Sequence, residues 1–333
     1  MELRTPYLMF LGDAADQLAA KTAQGVVDWR PDICLGQLRQ DGCNADLGLP
    51  DMGLEEAAEK GAKTIIVGVA NRGGVIADSW TKTLVRAIEL GMDVASGLHR
   101  KVADVPAIAD IAQLHGRRLF DVRHPTETFA VASGKRRQGK RLLPVGTDCS
   151  VGKMYTALAI TRELQDRGVQ ASFRATGQTG IFIAGSGVSV DAVVADFISG
   201  AVEWLAPEND PDHWDIVEGQ GSLFHASYAG VSLGLIHGAQ PDALVMCHEP
   251  TREHMRGLPD YPLPDLGECI EANVAAARLT NPAAQCIGIA VNTKSLDAAA
   301  AERYLGETEQ RFGLPTVDPV RTGVAAIVDR LPA

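Results

Sequence analysis

Short apolar runs alternate with longer amphipathic stretches from one end of the chain to the other. In the first third, strand-length runs fall at Tyr7–Leu11, Asp32–Leu35, Thr64–Val69 and Met92–Ser96. Helical periodicity predicts helices at Ala14–Ala23, Leu54–Lys60, Ser79–Leu90 and Pro106–Leu114. Strand, helix, strand in this rhythm requires parallel pairing through crossover helices. Residues 1–132 are therefore expected to form a Rossmann-like parallel-sheet domain, although they carry no G-x-G-x-x-G fingerprint. The pattern breaks at residues 133–141, Ser-Gly-Lys-Arg-Arg-Gln-Gly-Lys-Arg, which is basic and aperiodic. That stretch reads as a linker, with a basic rim for an anionic ligand as the alternative.

The rhythm then resumes. Strands are predicted at Leu142–Val145, Gln170–Arg174, Asp215–Glu218, Ala243–Cys247, Cys286–Val291 and Pro315–Val317. Helices are predicted at Lys153–Arg167, Val190–Leu205, Tyr228–His237, Gly267–Leu279, Asp297–Phe312 and Gly323–Arg330. A second parallel sheet covered on both faces follows, over residues 142–333. The 333 residues exceed what a single core usually serves, which agrees with two domains.

Composition narrows the function classes. The formal net charge is −11, which argues against nonspecific nucleic-acid binding and against an anionic membrane face. No apolar run has the length of a membrane span, and the first residues turn polar too soon for a signal peptide. The six cysteines are scattered, with no C-x-x-C pair and no zinc-like spacing, which fits a reducing compartment. A cytoplasmic protein is expected.

The sharpest chemical signal is Leu142–Val145 followed by Gly146, Thr147, Asp148, Cys149, Ser150, Val151, Gly152, Lys153 and Met154. An apolar strand, a glycine-bounded loop and a helix start give the context of a phosphate-binding P-loop. Backbone N–H groups converge there, the helix dipole favours an anion, and lysine adds a charge. The second domain is thus P-loop NTPase-like. Two departures from G-x-x-x-x-G-K-[ST] stand out. Thr147 occupies the first glycine position, and Met154 stands where a hydroxyl would ligate Mg²⁺, a hard cation that needs oxygen. The loop suits a phosphate that is held rather than transferred.

The spelling Gly-Thr-Asp-x-x-Val-Gly-Lys is similar to that of dethiobiotin synthetase and its relatives, as are Trp214–Ser222 and Ala290–Thr293. A wider resemblance covers nearly the whole chain. Arg30–Gly36, Gly68–Gly74, Ser96–His99, Arg174–Gly180, Glu218–Leu223 and His248–Arg252 resemble blocks of a bacterial family once known only as a domain of unknown function. Its members are described as D-glutamate N-acetyltransferases. The resemblance implies acetyl-CoA as cosubstrate, D-glutamate as acceptor and a racemase- or epimerase-like functional partner.

Such a transfer needs a base for the amine, donors for the oxyanion and alignment of the two reactants. No metal is expected for it. Glu218, at the end of a predicted strand, is the expected base, with an inherited Mg²⁺-side carboxylate as its alternative role. Asp148 is the second catalytic candidate, or else a helix cap. The cofactor-binding expectation is Gly146, Thr147, Cys149, Ser150, Val151, Gly152, Lys153 and Met154. Two substrate carboxylates call for arginine forks, so Arg72 and Arg174 are expected at the acceptor, with Asn71 and Gln178 adding neutral hydrogen bonds. For either arginine, a structural salt bridge is the competing role. His99, His225 and His248 read as hydrogen-bonded structure, and Cys149 as a poor nucleophile. An ATP-dependent kinase or ligase of the dethiobiotin synthetase type and a non-catalytic nucleotide sensor are the competing functions. Symmetric homo-oligomerisation is the base-rate expectation.

Overall fold

The computed structural model describes residues 2–69 and 76–332. In chain order its strands and helices are β1 (Tyr7–Gly12), α1 (Lys21–Trp29), β2 (Cys34–Arg39), α2 (Leu54–Glu59), β3 (Thr64–Val67), α3 (Asp78–Glu89), β4 (Asp93–Ser96), α4 (Pro106–His115), β5 (Leu119–Asp121), β6 (Lys140–Gly146), α5 (Lys153–Asp166), β7 (Ala171–Arg174), α6 (Gln178–Ala184), α7 (Ile198–Leu205), β8 (Trp214–Val217), α8 (Ala229–Ala239), β9 (Ala243–His248), α9 (Leu266–Arg278), β10 (Gln285–Val291), α10 (Ala298–Phe312), β11 (Thr316–Val317) and α11 (Ala325–Val328). The chain divides into two compact units. One comprises residues 1–126 and 177–192, the other residues 127–176 and 193–333.

The first unit carries a parallel sheet in the order β2-β1-β3-β4-β5. Strand β1 is buried at every position, as expected of a central strand covered on both faces. Helix α6 belongs to this unit although it lies between two strands of the other. Its Ile181, Phe182 and Ile183 are buried, the Tyr7 hydroxyl donates to the Phe182 carbonyl at 3.3 Å, and Leu3 N donates to Gly185 O at 3.1 Å.

The second unit carries a parallel sheet in the order β11-β10-β9-β6-β8-β7. From β6 the chain goes out to β7, returns through β8, then crosses to β9 on the other side. The strand order therefore reverses around β6, and ligands of open α/β sheets bind beyond the carboxyl ends of strands at such a reversal. β6 stays paired with β9 up to Gly146 opposite Cys247. Its ladder with β8 ends at Leu142 opposite Ile216. A crevice opens between Leu143–Gly146 and Gly219–Ser222, with Ser232 and Asn273 at its wall. Among the described residues no helix is long and apolar enough to cross a membrane.

Several elements depart from the sequence reading. Ala14–Ala23 is not the first helix: residues 14–20 form turns and the helix is Lys21–Trp29. Within these turns the Asp16 carboxylate accepts from Ala19 N at 2.8 Å. The strand expected at Asp32–Leu35 begins at Cys34, because Pro31 opens a short 3-10 turn through Ile33. The long helix expected at Val190–Leu205 is two 3-10 turns followed by α7. The last helix is shorter than Gly323–Arg330, which places Gly323 in a left-handed turn. β5 and α6 were not predicted.

Candidate phosphate site

Strand β6 delivers the chain into the loop at Gly146, and α5 leaves it at Lys153. Two left-handed residues bend the loop, Ser150 at φ 56° and Gly152 at φ 106°. Glycine adopts that region without strain; a serine held there costs about 1 kcal/mol or more, which the surrounding contacts must offset. The backbone N–H groups of Ser150, Val151 and Gly152 have no acceptor within the described protein. No side chain caps α5 either. Unpaired donors at a helix N-terminus form an anion-binding concavity.

The other face of the loop is held by an arginine. Arg252 Nη1 donates to Asp148 Oδ2 and to Cys149 O, both at 2.6 Å, and Nη2 reaches Ser150 O at 3.4 Å. Glu249 accepts from the same guanidinium at 2.6 Å. Since N–H and C=O point oppositely across a trans peptide, holding the carbonyls of Cys149 and Ser150 turns the N–H groups of Ser150 and Val151 to the opposite side of the loop.

Asp148 is the anchor of this arrangement. It is fully buried and accepts from Cys149 N at 2.6 Å, Arg252 Nη1 at 2.6 Å and Arg256 N at 2.8 Å. These partners commit its oxygens to shaping the loop rather than capping the following helix. Asp148, Cys149 and His225 offer potential ligand atoms within 4.8 Å of one another. Both His225 nitrogens are already engaged, however, Nε2 with Arg256 O at 3.1 Å and Nδ1 with Ser227 N at 3.1 Å. The cluster is a hydrogen-bond network. Burial pushes the Cys149 thiol up, so it is a poor nucleophile at neutral pH.

Lys153 is buried, its Nζ donates to Asp148 O at 2.8 Å, and burial holds its pKa below that of a free lysine. Its stem crosses Gly219, where a Cβ would lie 1.8 Å from Pro144 O and 3.0 Å from Lys153 Cδ. Only glycine fits there. Thr147 Oγ1 lies 3.0 Å from His248 Nδ1, and Ser222 Oγ donates to Thr147 O at 3.1 Å. β9 and the segment after β8 thereby fix the first half of the loop. Met154, the second residue of α5, carries a thioether and no hydroxyl.

Glu218 directly follows β8 and is buried, its Oε2 accepting from Thr176 N at 2.8 Å. The Thr176 hydroxyl in turn donates to Glu218 O at 2.7 Å. Arg174, at the end of β7, donates from Nε to Asp215 Oδ1 at 2.8 Å, which is the structural salt bridge of the two roles considered for it. Gln178 is the first residue of α6 and belongs to the first unit, where a Cβ on Gly97 would meet its Oε1 at 2.0 Å. Asn71 and Arg72 lie outside the described residues. The second unit thus gathers the loop, Glu218 and Arg174. The sequence reading did not single out Arg252 and Arg256 as loop partners. Their signal was the His248–Arg252 block itself, but nothing in the sequence shows that β9 lies next to β6.

A model described as a domain of unknown function, the DUF1611_C P-loop domain, matches residues 129–328, and the DUF1611_N Rossmann-like domain matches residues 38–125. The chain is 57% identical over 331 residues to a Tritonibacter scottomollicae protein named D-glutamate N-acetyltransferase, with 99% of each chain covered. It is 50% identical over 331 residues to a Pseudoalteromonas sp. protein of the same name, covering 99% of this chain and 100% of that one. The crystal structure of a DUF1611 family protein from Anabaena variabilis superposes with a TM-score of 0.87 at 31% identity, covering 98% of this chain and 99% of that one. With whole-chain likeness on every count, this chain belongs to the D-glutamate N-acetyltransferase family, acyltransferases that pair a DUF1611_N Rossmann-like domain with a DUF1611 P-loop domain.

Proposed function

We propose that the protein moves the acetyl group of acetyl-CoA to the amino group of D-glutamate. The observation that carries this reading is the whole-chain identity with two proteins of that name. The loop supports it on separate grounds. It offers free N–H donors and a buried lysine to a phosphate, yet has a methionine at the Mg²⁺-ligand position. CoA needs its phosphates held, and no phosphoryl group has to leave.

In this reading the amine nitrogen of D-glutamate attacks the thioester carbonyl, the C–N bond forms, and collapse of the tetrahedral intermediate breaks C–S and releases the thiolate. The amine proton goes to a base, for which Glu218 is our choice. It stands just past the carboxyl end of β8, and Thr176 holds it in place. Asp148 serves as the loop's anchor. The enzyme would then work in D-amino-acid metabolism in the cytoplasm, beside a racemase- or epimerase-like partner and without a catalytic metal.

The test is thiol release from acetyl-CoA with D- and L-amino acids offered in turn. Release with D-glutamate and not L-glutamate, abolished by Lys153→Ala, is the expected result. No release with any amine, together with Mg²⁺-dependent ATP consumption, would overturn the reading in favour of a kinase or ligase.

A further inference from the structure

Arg256 stands apart from the other arginine at this loop. The charge of Arg252 is matched by Asp148 and Glu249. Arg256 makes no ion pair with any carboxylate among the described residues, and its side chain is exposed. Its Nη1 donates to the hydroxyl of Ser150, the left-handed residue at the centre of the loop. Its backbone is fixed from both sides by buried side chains. Asp148 Oδ2 accepts from Arg256 N at 2.8 Å, and His225 Nε2 lies 3.1 Å from Arg256 O. A guanidinium is thus delivered to the loop by two buried anchors, while its charge is left for something outside the chain. Such forks match phosphate oxygens.

We propose that Arg256 takes a second phosphate of the ligand whose first phosphate lies in the loop, so that the site selects bisphosphorylated ligands over monophosphates. The inference rests on the loop being the donor's phosphate site, as in the function above. The free N–H groups of residues 150–152 and Lys153 serve one phosphate, and they face the side of the loop opposite Arg252. Arg256, bound to Ser150 from its own segment, extends the positive surface beyond that nest.

The experiment is calorimetric binding of inorganic phosphate, pyrophosphate and adenosine 3′,5′-bisphosphate to the full chain, wild type against Arg256→Ala and Arg256→Lys. Pyrophosphate or the bisphosphate should bind the wild type more tightly than phosphate. Arg256→Ala should remove about tenfold or more of that advantage and leave phosphate affinity unchanged. Arg256→Lys should restore part of it, since it keeps the charge without the fork. The better of the two diphosphate probes tells whether the second phosphate is adjacent to the first or separated by the ribose. Equal losses for phosphate and both probes would show a merely structural arginine and overturn the proposal, as would an unchanged preference in Arg256→Ala. Thiol release with D-glutamate alongside an unchanged preference sinks this inference and leaves the function standing. A preference lost in Arg256→Ala with no acetyl transfer does the reverse.

Discussion

His248 is where the loop's electrostatics meet its stability. Burial lowers the imidazole pKa from 6.5 to about 4, and the ring lies 3.0 Å from the Thr147 hydroxyl and stacks on Tyr304 with centroids 6.2 Å apart. At neutral pH the ring is uncharged, and one hydrogen bond joins it to the loop. The folded-state pKa lies below the unfolded value, so the unfolded chain takes up the proton first as the pH falls. The stability at stake is fully present above about pH 6.5 and is lost progressively as the pH drops through about 4. At about 1.4 kcal/mol per pKa unit, this amounts to about 3 kcal/mol at most. His248→Asn keeps a polar atom near Nδ1 and cannot titrate. We expect denaturant unfolding between pH 7 and pH 4.5 to show a shallower loss in the variant, by about 2 kcal/mol. Equal losses in both proteins would show that burial of His248 contributes nothing to acid sensitivity. Neighbouring residues differ in how far the sequence alone reveals them. Lys153 and the loop glycine Gly152 are legible because their spacing after an apolar strand is that of a P-loop. Asp148 read as a catalytic carboxylate because the sequence does not show Arg252 arriving from beyond β9 to occupy it.

Elements pack here through small residues, and two glycines test how closely. Helices α7 and α8 meet where a Cβ on Gly238 would lie 2.4 Å from Ser199 O and 2.7 Å from Val202 Cβ. The Ser199 carbonyl oxygen, being backbone, cannot swing aside as a side chain would. Gly306, inside α10, has nothing within 4 Å of the same position. Gly238→Ala should therefore destabilise by about 2–3 kcal/mol through overpacking. Gly306→Ala should stabilise by about 0.5–1 kcal/mol through helix propensity alone. Urea midpoints of the two variants check this, and a loss in both would mean that the glycines matter for backbone reasons unrelated to packing. At this scale the sequence was most informative where periodicity is long. The helices predicted at Ser79–Leu90, Lys153–Arg167 and Asp297–Phe312 lie within a residue of α3, α5 and α10 at each end. It was least informative ahead of α1, where an amphipathic stretch forms turns and the helix begins only at Lys21. Helix α6 was missed because its seven residues sit between Gly177 and Gly185 and bury an apolar run too short to show a period.

That short helix matters most at the scale of the whole chain. The alternation of strands and helices makes two parallel-sheet layers legible, because crossover connections permit little else. It does not reveal that residues 177–192 leave the second sheet's chain order to complete the first unit. The contacts they bring are substantial. Ile181, Phe182 and Ile183 are buried, Arg30 Nη1 donates to Ile183 O at 3.3 Å, Ser189 Oγ donates to Val122 O at 2.9 Å, and Arg123 pairs with Asp191. Burying three large apolar side chains contributes about 5–8 kcal/mol, on the scale of a whole domain's net stability. A fragment of residues 1–126 should therefore lack a cooperative unfolding transition and bind a hydrophobic dye, although it holds all five strands of its sheet. Joining residues 177–192 to its end through a flexible Gly/Ser linker should restore a sharp transition, read by circular dichroism and dye release. Cooperative unfolding of the bare fragment would mean that β1–β5 and their own helices suffice, and that the inserted segment is a passenger on a finished core.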